Sequence, residues 1–118
     1  MAETHAAIHQ GDLYWLKLEA SEFPHPYVVV QQDVLNDSRL DTVVVCALTS
    51  NLKRASLAGN LLLNTGEGSL PQQSVVEVSK VSTVAKTQLG EYIGSLSEQR
   101  IEQIFAGMRF LQRSYFMP

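Results

Sequence analysis

Cysteine is almost missing from this chain: of 118 residues only Cys46 is one. That excludes an internal disulfide framework and any zinc site built on several thiolates, and it makes a reducing compartment the simple expectation. Long apolar runs are missing too. Val43 to Leu48 is six residues, against the roughly 20 that a helix needs to cross a bilayer. Met1 to His5 shows no charged segment leading into an apolar stretch, so no secretory signal is expected and the cytoplasm is the expected location. Basic residues are in the minority. Nine Lys and Arg against twelve Asp and Glu give a net charge of −3. A surface basic all round, as in a protein wrapped by nucleic acid, is excluded, although a local basic groove is not. There is no Gly-rich phosphate loop, no HExxH and no GxSxG. Gly66-Glu67-Gly68 is too short to cradle a phosphate and reads as a turn.

What is present is an ordinary globular composition, 45% hydrophobic and 18% charged, at a length that suits one domain. Residues 1–10 are polar and read as a flexible arm before a single domain. Asp12 to Leu18 reads as a strand rich in apolar and aromatic residues. Pro24 and Pro26 flank His25 and hold Phe23 and His25 out of helical geometry, giving a stiff loop that enters a β-branched strand, Tyr27 to Gln31. Asp33 to Asp41 is polar with turn formers at Asn36-Asp37-Ser38. Thr42 to Leu48 is the strongest strand. Asn60 to Leu63, Ser74 to Val78 and Val81 to Val84 follow as shorter ones, with a hairpin-type turn at Asn64 to Gly68. The chain then turns helical. Ser97 suits an N-cap, and Ile101, Ile104, Phe105, Met108 and Leu111 recur on one face. Gly107 weakens that helix by about 1 kcal/mol relative to alanine, so packing must hold it. The fold class is mainly β with α: a small, strongly curved antiparallel sheet or barrel with a C-terminal helix.

Few residues carry chemistry. His5 and His9 are four apart, but nothing near them in sequence completes a metal site, so no metal is expected. His25 has its backbone fixed by two prolines at a strand entrance, and histidine is the side chain that exchanges protons near neutrality. It reads equally as a surface-loop histidine or as an acid, base or phosphate donor. Thr49-Ser50-Asn51 ends the strongest strand, where hydroxyls and amides are common strand terminators and, beside His25, could donate to phosphate. Lys53 and Arg54 follow, either a solvated pair or a phosphate clamp. Tyr14, Trp15 and Phe23 either stack on bases or pack the core, the core being preferred for at least one of Tyr14 and Trp15. Cys46, inside an apolar strand, reads as a small buried hydrophobe.

Taken in order, these pieces resemble the MazF/PemK toxin family. Gly11-Asp12-Leu13-Tyr14-Trp15 resembles its opening strand, and His25-Pro26-Tyr27-Val28-Val29-Val30-Gln31 its Arg-Pro-led second strand. Thr42 to Ser50 is similar to the third strand, which ends in Thr-Ser or Thr-Gly. Ser74-Val75-Val76, Ser79 to Lys86 and Ile93-Gly94-Ser95-Leu96-Ser97 complete the likeness, which spans roughly residues 10 to 113.

The resemblance implies a homodimeric, sheet-based barrel with a C-terminal helix. It further implies an endoribonuclease toxin of a toxin–antitoxin pair that cuts single-stranded RNA without metal or other cofactor, leaving 2′,3′-cyclic phosphate and 5′-hydroxyl ends. A cognate antitoxin protein covers the RNA groove, and the toxin–antitoxin complex binds DNA. On this resemblance the catalytic positions are His25, Thr49 and Lys80, and RNA is held by Phe23, Ser50, Asn51, Lys53, Arg54 and Ser82. His25 stands where the family has its catalytic arginine, Lys80 where it has a glutamine and Ser82 where it has an arginine. Histidine lacks the bidentate guanidinium fork but can move a proton. The competing expectation is a catalytically weakened or inactive module of the same fold that binds RNA or a protein partner. A structural subunit docking through the helix is a more distant third.

Overall fold

The computed structural model describes residues 7–18 and 21–116. Six strands form one antiparallel sheet: β1 (Asp12–Leu16), β2 (His25–Val29), β3 (Thr42–Thr49), β4 (Leu61–Leu62), β5 (Val75–Ala85) and β6 (Tyr92–Ser95), in the order β4-β5-β3-β2-β1-β6. A one-turn helix, α1 (Asp33–Asn36), links β2 to β3, and α2 (Glu98–Phe116) closes the chain. Short 3₁₀ turns lie at Leu52–Ser56, Glu67–Ser69 and Lys86–Gln88.

Alternation along the strands sorts side chains to two faces. Leu13, Val28, Cys46, Leu48, Val76 and Val78 point toward α2, where Ile101 and Ile104 seal the main core. Tyr14, Leu16, Val29, Val43, Val45 and Val84 pack together on the other face. Ser97 caps α2 as its sequence position predicts, its Oγ accepting the Arg100 N–H at 3.2 Å. Cys46 is fully buried and its thiol donates to the Glu77 carbonyl at 3.1 Å. Burial, reinforced by the Glu77 charge, pushes that thiol up to about 12, so it is no nucleophile.

Four local expectations change. The segment read as two strands around Ser79-Lys80 is one strand, β5, because β3 and β5 stay paired across an irregularity: Cys46 pairs with Val81 and Leu48 with Val76. Two residues on β3 thus span five on β5, and the excess bulges out. The polar 33–41 stretch opens with a helical turn, pinned because buried Asn36 donates to the Gln31 carbonyl at 2.8 Å and accepts from its amide at 2.9 Å. β6 was not expected as a strand. Its Gly94 lies so close to the Gly68 carbonyl that any side chain would overlap it, and this contact brings the segment after β4 to the far edge of the curled sheet. The Asn64–Gly68 turn forms, but within a longer connection from β4 to β5. Of the N-terminal arm, residues 1–6, including His5, lie outside the described residues. Gln10 is tied down, its side chain donating to the Val30 carbonyl at 2.9 Å and its N–H to Asp33 at 2.7 Å.

One ion pair staples α2 to the sheet edge. Arg100 forks onto Glu67 through Nε at 2.8 Å and Nη2 at 3.0 Å, and Glu67 also accepts the Asn64 N–H at 2.8 Å. Hydrogen bonding from Arg100, first among the causes, holds the Glu67 carboxyl below its ordinary range. A depressed carboxyl stabilises the fold above its unfolded value and loses that contribution as pH falls. Glu67→Gln is therefore expected to destabilise by about 1 kcal/mol at neutral pH, with the deficit fading below about pH 4. Urea unfolding of both proteins across that range checks it.

Candidate active site

Adjacent strands carry the two strongest candidates. β2 and β3 pair Tyr27 with Ala47 and Val28 with Cys46. The paired register ends at Tyr27 and Ala47, so His25 and Thr49 lie two residues beyond it, at neighbouring ends of β2 and β3. Each side chain is oriented by a local bond. His25 is exposed, and its Nε2 lies 3.1 Å from Ser21 Oγ, leaving the other ring nitrogen toward solvent. Thr49 Oγ1 accepts the Asn51 N–H at 3.1 Å, so its hydroxyl hydrogen remains free to donate.

Positive charge arrives from two other segments. Lys80 sits in the β5 bulge, one residue beyond the Cys46–Val81 pair, and Arg54 sits in the 52–56 turn. Both approach Glu77, the Lys80 ammonium at 3.5 Å and Arg54 Nε at 4.0 Å. Glu77 is buried, and no sequence reading assigned it a role. The signal was available: it is the one charged residue in Val75-Val76-Glu77-Val78. Tyr27 bridges this cluster to the His25 end. Its hydroxyl is pushed above its ordinary value by burial first, then by the charges of Cys46 and Glu77.

The RNA-binding candidates spread around this centre. Ser50 lines a cleft of about 180 Å³ with Trp15, His25, Leu48 and Gln72. Phe23 is 68% exposed beside His25. Tyr14 belongs to the core, whereas Trp15 lines the cleft. Asn51 caps the 52–56 turn, its Oδ1 accepting the Lys53 N–H at 3.2 Å, so its carbonyl is committed locally. Lys53 is exposed. Ser82 pairs with Val45 farther along β5, away from the cluster.

A larger cavity of about 920 Å³ opens at the other edge of the sheet, against Tyr14, Leu89 and Tyr92. His9 and Tyr14 line it, but none of His25, Thr49, Lys80 and the RNA-binding candidates does. Its buried Asp12 accepts from Ser95 Oγ at 2.9 Å and from the His9 N–H at 2.9 Å, a closed structural network. Among the described residues no group of three or more His, Cys, Asp and Glu could hold a metal.

Residues 9–111 match the family described as PemK-like, MazF-like toxin of type II toxin-antitoxin system. The chain belongs to that family. Endoribonuclease MazF6 of Mycobacterium tuberculosis is 33% identical over 107 residues, which cover 86% of this chain and 94% of the relative. Endoribonuclease MazF of Staphylococcus saprophyticus is 24% identical over 82% of this chain and 84% of its own length. Among solved structures, an endoribonuclease from a mycobacterial species superposes with a TM-score of 0.75 at 20% identity, covering 93% of this chain and 95% of its own. Deinococcus radiodurans MazF gives 0.74 at 15% identity, covering 92% and 98%. The curled sheet with its C-terminal helix is thus the MazF fold.

Proposed function

We propose that this chain is the toxin of a toxin–antitoxin pair and an endoribonuclease of single-stranded RNA, acting in the cytoplasm as a homodimer. The observation that carries the reading is the pairing of β2 with β3 in a MazF-type sheet, which puts His25 and Thr49 at neighbouring strand ends, with Lys80 and Arg54 converging on Glu77. Relatives named endoribonucleases support the activity. A mycobacterial endoribonuclease solved in complex with its cognate antitoxin supports a cognate antitoxin as partner.

The proposed reaction forms a bond from the ribose 2′-oxygen to the adjacent phosphorus and breaks the bond from phosphorus to the 5′-oxygen. The 2′-hydroxyl loses a proton and the 5′-oxygen gains one. His25 moves protons through the ring nitrogen that Ser21 leaves free, while the Ser21 contact steers the ring. The Thr49 hydroxyl donates to a non-bridging phosphate oxygen, its lone pair already engaged by the Asn51 N–H. Lys80 supplies positive charge as the phosphorane develops, with Arg54 and Lys53 on neighbouring phosphates. Phe23 and the cleft at Trp15 and Ser50 receive bases.

The test is cleavage of a long, weakly structured RNA in EDTA with the product ends mapped. Discrete cuts with cyclic-phosphate and 5′-hydroxyl ends are expected. A folded sample that makes no cuts would refute the enzyme and leave the binding module as the surviving reading.

A further inference from the structure

Glu77 is a buried charge that the proposed reaction leaves unused and that, unlike Asp12, has no close hydrogen-bond partner for its carboxylate among the described residues. It is 5% exposed, between Val76 and Val78 of the main core. A carboxylate taken out of water at such a position is costly unless cations meet it closely. The molecule shows what a close meeting looks like: Arg100 holds Glu67 through two bonds of 2.8 and 3.0 Å. Glu77 is held differently. Its partners stand off at 3.5 and 4.0 Å, beyond the roughly 2.7–2.9 Å of a charge-assisted bond. Both remain about half exposed, Lys80 at 55% and Arg54 at 46%. They come from separate segments, the β5 bulge and the 52–56 turn, and meet only at this carboxylate. An apolar residue would suit the strand better, so what Glu77 contributes is charge.

We propose that Glu77 is an internal counter-anion, whose buried carboxylate competes with RNA phosphate for Lys80 and Arg54 and limits how tightly the groove holds RNA. The inference rests on the reading that this groove binds RNA. With Glu77 ionised, the cluster carries two cations and one anion, a net +1. A phosphate arriving there shares cations that already have a partner, so fewer solution ions are displaced on binding and cleaved product leaves more readily. Glu77 acts through the two cations and is a positioning residue, not a catalytic one.

The experiment measures affinity for a labelled single-stranded RNA with 2′-O-methyl riboses, which cannot be cut, by fluorescence anisotropy over a range of salt. Glu77→Gln is expected to tighten binding about three- to tenfold at low salt. It should also steepen the dependence of log Kd on log salt by about 0.7, one further phosphate's worth for a single strand. Glu77→Asp keeps the anion and should keep the wild-type slope. In a background of Arg54→Ala and Lys80→Ala the gain from Glu77→Gln should vanish, since its carriers are gone. Glu77→Met, apolar like its strand neighbours, provides a second neutral variant in case the amide fails to pack. Neutral variants that bind with the wild-type Kd and slope would overturn the proposal, as would a gain that persists without the two cations. A wild-type chain that binds no RNA would overturn the RNA reading itself and this inference with it.

Discussion

Replacing His25 with alanine is expected to lower the rate of RNA cleavage about 10²- to 10⁴-fold, the usual contribution of a positioned general acid or base. The side chain is exposed and its one partner among the described residues is Ser21, so unfolding temperature should hardly change. His25→Arg separates two roles that histidine could play. It returns a bidentate fork for phosphate but removes proton exchange near neutrality. If charge alone matters, His25→Arg keeps or raises activity. If proton transfer matters, activity falls and the pH–rate profile loses its imidazole limb. The second outcome is the expected one, because in the proposed groove Lys80 and Arg54 already supply positive charge. A His25→Ala protein that cleaves at the wild-type rate with an unchanged profile would remove His25 from the mechanism.

Gly107→Ala is expected to destabilise the fold by about 2 kcal/mol, although alanine is the better helix former by about 1 kcal/mol. A methyl group at Gly107 would overlap the carbonyl of Gly59, whose own Cβ position is 2.9 Å from the Gly107 carbonyl oxygen. Backbone faces backbone there, so no flexible side chain can yield. The helix must lift from β5, and Ile104, fully buried, is drawn away with it. Thermal melts should show a fall of roughly 8 °C for a chain of this size. A melting temperature equal to or above wild type would mean that helix and loop separate freely.

Gly107 also shows where reading a sequence stops. As a letter in a helix it signals weakness, and the reason for it lies 48 residues away at Gly59. Local chemistry reads well from the chain. The β-branched runs became β2 and β3, the 3.6-residue spacing of Ile101 and Ile104 became the core face of α2, and Ser97 caps that helix. Each depends on neighbours within a few residues, where propensity and alternation act directly. The same patterning reached the fold class and singled out His25 and Thr49, and the likeness to the MazF family added Lys80 to them. The bulge that merges two expected strands into β5 was not legible, because Ser79-Lys80 looks like a break unless β3 is known to pair on both sides of it.

Local chemistry in the chain was enough for β1 to β4, the capped amphipathic helix, the lack of a disulfide framework and a family whose residue types suit phosphate chemistry. Only tertiary packing set the neighbouring strand ends that carry His25 and Thr49, the convergence of Arg54 and Lys80 on the buried Glu77, and the contact at Gly107. The physical reason is sequence distance: strand register, bulges and ion pairs join segments tens of residues apart, and what sets them is the collective packing of the sheet against α2, which no local window of the chain contains.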